Sequence, residues 1–103
     1  GRTRTALPVG IVFTQTARSE LIDAQDWYEA ELAGLGRRFR AEVHATLNRI
    51  AENPLQFPIV QNEIRRALVR RFPYSIFFVL EYNSAIVIAC FHASRDPDQW
   101  KGR

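Results

Sequence analysis

The apolar positions of this chain fall into runs, alternations and helical repeats, and each pattern predicts an element. The densest apolar stretch is 65–100, RRALVRRFPYSIFFVLEYNSAIVIACFHASRDPDQW. Within it the runs 76–80 and 85–91 are rich in Ile, Val and Phe. Branched and aromatic side chains fit a pleated surface, so both runs predict strands. Tyr82-Asn83-Ser84 lies between them and predicts a tight hairpin, because Asn tolerates positive φ. Residues 65–72 mix apolar and basic side chains, as a strand with one wetter face does. Pro73 has no N–H for a ladder, so Phe72-Pro73-Tyr74 separates that strand from the next. The expectation is a three-stranded meander whose middle strand, 75–81, is apolar on both faces.

The first 64 residues must cover this sheet. Val9, Ile11 and Phe13 predict a short first strand. Thr14 or Thr16 caps the helix that follows, accepting a backbone N–H at its start. Ala17, Leu21, Ala24, Tyr28 and Leu32 recur at three- and four-residue steps and form its buried face. Glu20, Asp23, Asp26 and Glu29 lie largely off that face. Gly34-Leu35-Gly36 is expected to end the helix, since glycine takes the left-handed cap at little cost. A second helix carries Phe39, Val43, Leu47 and Ile50 on one stripe and starts with Arg37, Arg38 and Arg40. Asn53-Pro54 stops it, because a residue before proline avoids the helical region. The short link implies an antiparallel helical hairpin. Residues 55–63 read as a loop with room for a brief edge strand at Ile59-Val60. The order is strand, helix, helix, meander. An α+β fold satisfies it: an antiparallel sheet with a two-helix hairpin packed on one face and the other face partly open. Residues 1–7 are polar and expected to be loose.

Composition narrows the class. A chain of 103 residues is expected to form one domain over 1–103. With 47% apolar and 24% charged residues it has an ordinary globular balance. A net charge of +3 and a pI near 9.6 suit an acidic protein partner or a nucleic acid. The single cysteine, Cys90, excludes an internal disulfide and reads as a small apolar filler in a strand. One Cys and two widely spaced His make no ligand set, so no metal or cofactor is expected. The apolar run 6–13 carries Pro8 and Gly10, is too short for a membrane span and lacks a signal-peptide pattern. A cytoplasmic setting is the expectation. With no Met and Gly1 first, the chain is expected to be a processed product.

Several marks occur together in a specific order: Trp27-Tyr28 in the helical hairpin, the Asn53-Pro54 stop, Arg65-Arg66-Ala67-Leu68, Phe72-Pro73-Tyr74, and the ending His92-Ala93-Ser94-Arg95-Asp96-Pro97 with Trp100. On these the chain resembles the RelE/ParE superfamily of bacterial type II toxins, nearest the ParE or plasmid-stabilisation branch. The resemblance implies a β-α-α-β-β-β fold with the first strand beside the last. It also implies a cognate, ParD-like antitoxin with an acidic C-terminal segment, and contact with DNA only through that antitoxin.

The superfamily divides by target. RelE-type toxins cut mRNA in the ribosome, which requires an activated 2′-hydroxyl and cations around the phosphate. They place an arginine just after the aromatic that opens the middle strand. Here Ser75 follows Tyr74, and serine cannot neutralise developing phosphorane charge. Arg95 matches a second RelE-type arginine, and Trp100 falls near a RelE-type tyrosine, but indole is neither acid nor base. ParE-type toxins bind DNA gyrase instead. The resemblance therefore implies a gyrase-binding inhibitor without catalytic residues. The alternatives are a metal-independent endoribonuclease using His92 and Arg95, or a homologue that binds its antitoxin without toxicity. Arg70, Arg71, His92, Arg95 and Trp100 are the candidate target contacts. Trp27, Arg70 and Arg71 are the candidate antitoxin contacts, Trp27 because Tyr28 occupies the buried stripe and helical neighbours diverge by roughly 100°. The bland readings stand beside these: His92 as a hydrogen-bonded structural residue, Arg70 and Arg71 as a solvated edge, and Arg95 paired with Asp96.

Overall fold

The computed structural model describes residues 8–94. The loose start expected for 1–7 and the tail that carries Arg95 and Trp100 lie outside the described residues. Strand β1 spans Gly10–Phe13, helix α1 Gln15–Glu31 and helix α2 Leu35–Glu52. A 3-10 turn at Pro54–Gln56 leads to β2 at Ile59–Gln61, β3 at Ile64–Val69, β4 at Tyr74–Glu81 and β5 at Ser84–His92. The five strands form one sheet in the order β1-β5-β4-β3-β2. Both helices pack on one face, so the α+β expectation holds, including the first strand beside the last.

The expectation of an antiparallel sheet holds across β2, β3, β4 and β5 and is corrected at β1, which runs parallel to β5. The chain path explains the difference. Thr14 is the only residue between β1 and α1, and its N–H bonds to the Val87 carbonyl. Further along, the Glu20 carboxylate accepts the Cys90 N–H. Helix α1 thus continues along β5 in the direction that β1 set. The reversal comes once, between the helices, and α2 ends beside the start of β1, where the Ala51 carbonyl accepts the Val9 N–H.

Thr14 caps α1, its hydroxyl accepting the Ala17 N–H at 3.1 Å. The helical face expected for α1 buries Ala17, Ala24 and Tyr28, with Leu21 partly covered. Leu32 departs from it: α1 ends at Glu31, and Leu32, with φ −160°, turns out to solvent. The glycines also divide their work differently from expectation. Gly34 takes the left-handed φ of 89° in the link, but Gly36 lies inside α2. A Cβ at Gly36 would sit 2.7 Å from the Gln25 carbonyl oxygen, so this glycine sets how closely the helices approach. Phe39, Val43, Thr46 and Ile50 make the buried stripe of α2.

Strand β4 is covered on both sides as expected. Ile76 and Phe78 join the core beneath the helices, and Phe77 packs on the opposite face with Ala89 and Phe91. A bulge in β5 pairs Phe77 with Ala89 and Phe78 with Val87, leaving Ile88 as the extra residue. Its effect is to change parity. Ala85, Val87 and Cys90 all face the helices, and His92 falls opposite Tyr74 on that same side. Cys90 is the apolar filler expected, 2% exposed, and burial pushes its thiol up. At the β4–β5 turn the positive φ sits on Tyr82 and not on Asn83, whose carbonyl accepts the Gly10 N–H of β1.

One α1 side chain caps α2. The two Glu29 carboxylate oxygens accept the Gly34 and Gly36 N–H groups, each at 2.9 Å. These bonds, Gly34's first, hold the Glu29 carboxyl below its ordinary value. A depressed folded-state value means the carboxylate adds stability above its unfolded-chain value, and that contribution fades as pH falls through the folded one. Glu29→Gln is therefore expected to lower the urea midpoint at neutral pH, with the gap to wild type closing below the ordinary carboxylate range. A gap independent of pH would contradict a charged cap.

Candidate functional site

Four rings build one end of the molecule. Tyr28 of α1 lies 5.0 Å from Phe39 of α2 and 4.9 Å from Phe72 of the β3–β4 turn. Tyr74, opening β4, stands 5.2 Å from Phe39. The residues expected to make contacts surround this cluster. Trp27 meets Tyr28 edge-on at 5.2 Å and is 59% exposed, so the divergence expected between these neighbours is what the helix delivers. His92 lies edge-on to Tyr74 at 5.5 Å.

Arg70 and Arg71 part company. Arg71 adopts φ 69°, a left-handed backbone that costs a side-chain-bearing residue about 1 kcal/mol. From there its guanidinium meets the Glu42 carboxylate of α2 at 2.6 Å. With Leu35, Arg38, Ala41 and Phe72 this pair lines a concavity of about 420 Å³. Arg70 turns the other way, toward a trough of about 350 Å³ shared with Arg49, Phe57, Pro58, Arg66 and Leu68.

The open face of the sheet carries Ser75, Phe77 and Phe91 with Arg66 and Leu68, around a concavity of about 250 Å³ whose rim reaches His92 and Ala93. Ser75 is 8% exposed, so the position after the opening aromatic presents a nearly buried neutral hydroxyl. The register puts the His92 side chain on the helix side, away from Ser75. Its Nδ1 accepts the Ser94 N–H at 3.0 Å and lies 2.8 Å from the Ser94 hydroxyl. Arg95 and Trp100 lie outside the described residues. Among the described residues no cluster of His, Cys, Asp and Glu could hold a metal, and no helix is long and apolar enough to cross a membrane.

Two features went unread in the sequence. A groove of about 200 Å³ between the helices has Leu21, Ile22, Val43 and Leu47 within it and Arg18, Arg40 and His44 on its walls. Ile22, off the buried stripe and 52% exposed, was its only signal. The arginine trough could not be foreseen because Arg49 and Arg66 come together only once α2 packs beside β3.

The sequence model described as "ParE toxin of type II toxin-antitoxin system, parDE" matches residues 11–97. No curated protein matches the chain. Two solved structures are similar in fold. One, from the chromosomal ParDE toxin–antitoxin system of P. aeruginosa, superposes with a TM-score of 0.68 at 16% identity, covering 84% of this chain and 97% of that one. The other, from the toxin–antitoxin complex RelBE2 of Mycobacterium tuberculosis, gives 0.59 at 21% identity, covering 87% and 98%.

The ion pair at Arg71 is exposed, with its guanidinium side chain 77% accessible, so it contributes only about 0–1 kcal/mol. Arg71→Ala is expected to lose no more than that in urea denaturation. Arg71→Gly removes the left-handed strain and is expected to be more stable than Arg71→Ala by about 1 kcal/mol. Equal stability of the two variants would contradict the strain.

Proposed function

The chain belongs to the ParE toxin family of type II toxin–antitoxin systems, and from that premise we propose that it poisons DNA gyrase by binding it and cuts no RNA. The observation that supports this reading is the nearly buried, neutral Ser75 at the position after the opening aromatic. Metal-free phosphodiester cleavage needs several donors preorganised around one phosphate, and loss of one such donor commonly costs roughly 100–1,000-fold in rate. Ser75 supplies no cation, and His92 faces the other side of the sheet, where its Nδ1 accepts the Ser94 N–H. Binding asks less. It needs exposed cations and aromatic surface, and Arg70, Arg71 and His92 present these at the ring-built end, with Arg95 and Trp100 following in sequence.

A cognate antitoxin is the second partner, and the site acts in a cytoplasmic setting. The interhelical groove offers an apolar floor with cationic walls, which fits an amphipathic helix bearing acidic residues. Ile22 is exposed within it as an apolar anchor, Trp27 offers a second exposed anchor elsewhere on α1, and Arg70 and Arg71 would meet acidic side chains. Contact with DNA then comes only through the antitoxin.

The decisive assay uses purified protein with gyrase and, in parallel, with translating ribosomes. Inhibited supercoiling or trapped cleaved DNA is expected, with ribosome-bound mRNA intact and growth inhibited when the chain is expressed alone. Codon-specific mRNA cuts abolished by Arg95→Ala would replace this reading with the nuclease. Unchanged growth at confirmed protein levels would replace it with a homologue that has lost toxicity.

A further inference from the structure

The groove between the helices has a shape that the backbone sets. At one end the helices nearly touch, since a Cβ on Gly36 would lie 2.7 Å from the Gln25 carbonyl oxygen. Glu29 locks that contact by accepting the Gly34 and Gly36 N–H groups. From Gln25 the groove runs toward the start of α1, as far as Arg18 on that helix and Leu47 on the other. Gln25 and Arg18 are seven positions apart, about 10 Å of helix. Phe13 of β1 lines the groove from the sheet side, and the Arg18 guanidinium stands over its ring at 5.5 Å.

The lining separates by polarity. Leu21, Val43, Leu47 and Phe39 are covered or partly covered by the fold and form the floor, while Ile22 is exposed. Arg18, Arg40 and His44 are exposed along the rim. No carboxylate lines the groove. Among the described residues the salt bridge joins Arg71 to Glu42, which leaves both rim arginines without a carboxylate partner. An apolar slot with cations on its rim and no anion suits a ligand with an apolar body and one negative charge. Size narrows the choice. A dry apolar cavity of about 150 Å³ takes benzene. The groove's volume of about 200 Å³ therefore admits a single short chain and not a two-chain lipid.

We propose that this groove binds a free, single-chain aliphatic carboxylate of roughly eight carbons, whose extended length matches the groove. The chain lies along Leu21, Val43 and Leu47, and the carboxylate meets the guanidiniums of the rim, which suit it by charge and by their planar fork. The ligand occupies the floor that an amphipathic antitoxin helix would cover, so the two exclude one another. That consequence rests on the toxin–antitoxin reading above, whereas the binding itself does not.

The test uses the full chain, isotope-labelled for amide NMR, titrated with sodium octanoate below its micelle concentration. Saturable shifts are expected at Ile22, Gln25, Val43 and Leu47. Hexanoate should bind about tenfold more weakly, because each buried methylene is worth about two- to fourfold. Octyltrimethylammonium, with the same chain and the opposite charge, should leave these amides unmoved. Arg18→Glu with Arg40→Glu should weaken octanoate by about tenfold or more. Should that variant fail to fold, the double glutamine variant carries the test. Equal binding of octyltrimethylammonium, no preference for octanoate over hexanoate, or shifts spread to Trp27, Leu55 and Leu68, as a detergent coating apolar surface would give, overturns the proposal. Stronger shifts from phosphatidylglycerol vesicles than from octanoate overturn it too, in favour of a membrane contact. In the complex with co-expressed antitoxin the groove amides are expected to ignore octanoate, and an undiminished response there overturns the exclusion. Growth inhibition by the chain alone is read separately. A chain that poisons cells yet ignores octanoate defeats only this inference, and one that binds octanoate without poisoning defeats only the functional reading.

Discussion

The four-ring cluster of Tyr28, Phe39, Phe72 and Tyr74 is the contact on which the rest of the structure depends. It joins α1, α2, the β3–β4 turn and β4, and every ring touches at least two others. Aromatic pairs in such edge-on and tilted arrangements are worth about 0.5–1.5 kcal/mol each beyond the area they bury. The cluster fixes the helical hairpin over one end of the sheet. It draws Phe72 inward, and the chain reverses at Arg71 in a left-handed conformation. That reversal sends Arg71 to the α2 carboxylate and Arg70 to the β3 edge. It also gives His92 an aromatic wall in Tyr74. The end that holds the hairpin in place is therefore the end that presents the cations.

The helices cover one face and leave the other to the strands themselves. Phe77 and Phe91 on the open face are nonetheless well buried, at 6% and 3% exposure, with Arg66 and Leu68 at their border. Exposed large apolar side chains include Ile22 and Trp27 on the hairpin and Leu68 at the β3 border, with others at Val12, Leu32, Leu55, Ile59, Val60 and Tyr82. Exposed apolar surface of this kind suits a protein that is covered by a partner. Here the arginines ring apolar floors, and the histidine is tied to its own backbone neighbour.

Much of this was legible in the sequence because it is local. The apolar period of three and four placed Tyr28, Phe39 and Ile50, and the Ile, Val and Phe runs placed β4 and β5. Trp27 followed from the angle between helical neighbours. Features set by distant backbone were not legible. The bulge at Ile88 decides which face His92 joins, and nothing in residues 85–92 announces it. The parallel pairing of β1 depends on α1 continuing along β5. Gly36 looked like a helix terminator, and only the approach of Gln25 shows it to be a packing glycine. Arg49 and Arg66 are 17 positions apart and became neighbours through the packing of α2 beside β3.

The central claim is that the outer hairpin and the β3 edge are recognition surfaces. Hydroxyl-radical footprinting of the protein alone and bound to its co-expressed antitoxin tests it most directly. Ile22, Trp27 and Leu68 are all exposed in the free protein, and Tyr82, fully exposed at the β4–β5 turn, serves as the internal reference. The account predicts that binding suppresses modification of the first three and leaves Tyr82 unchanged. Protection of Tyr82 with Trp27 and Leu68 still reactive would contradict it.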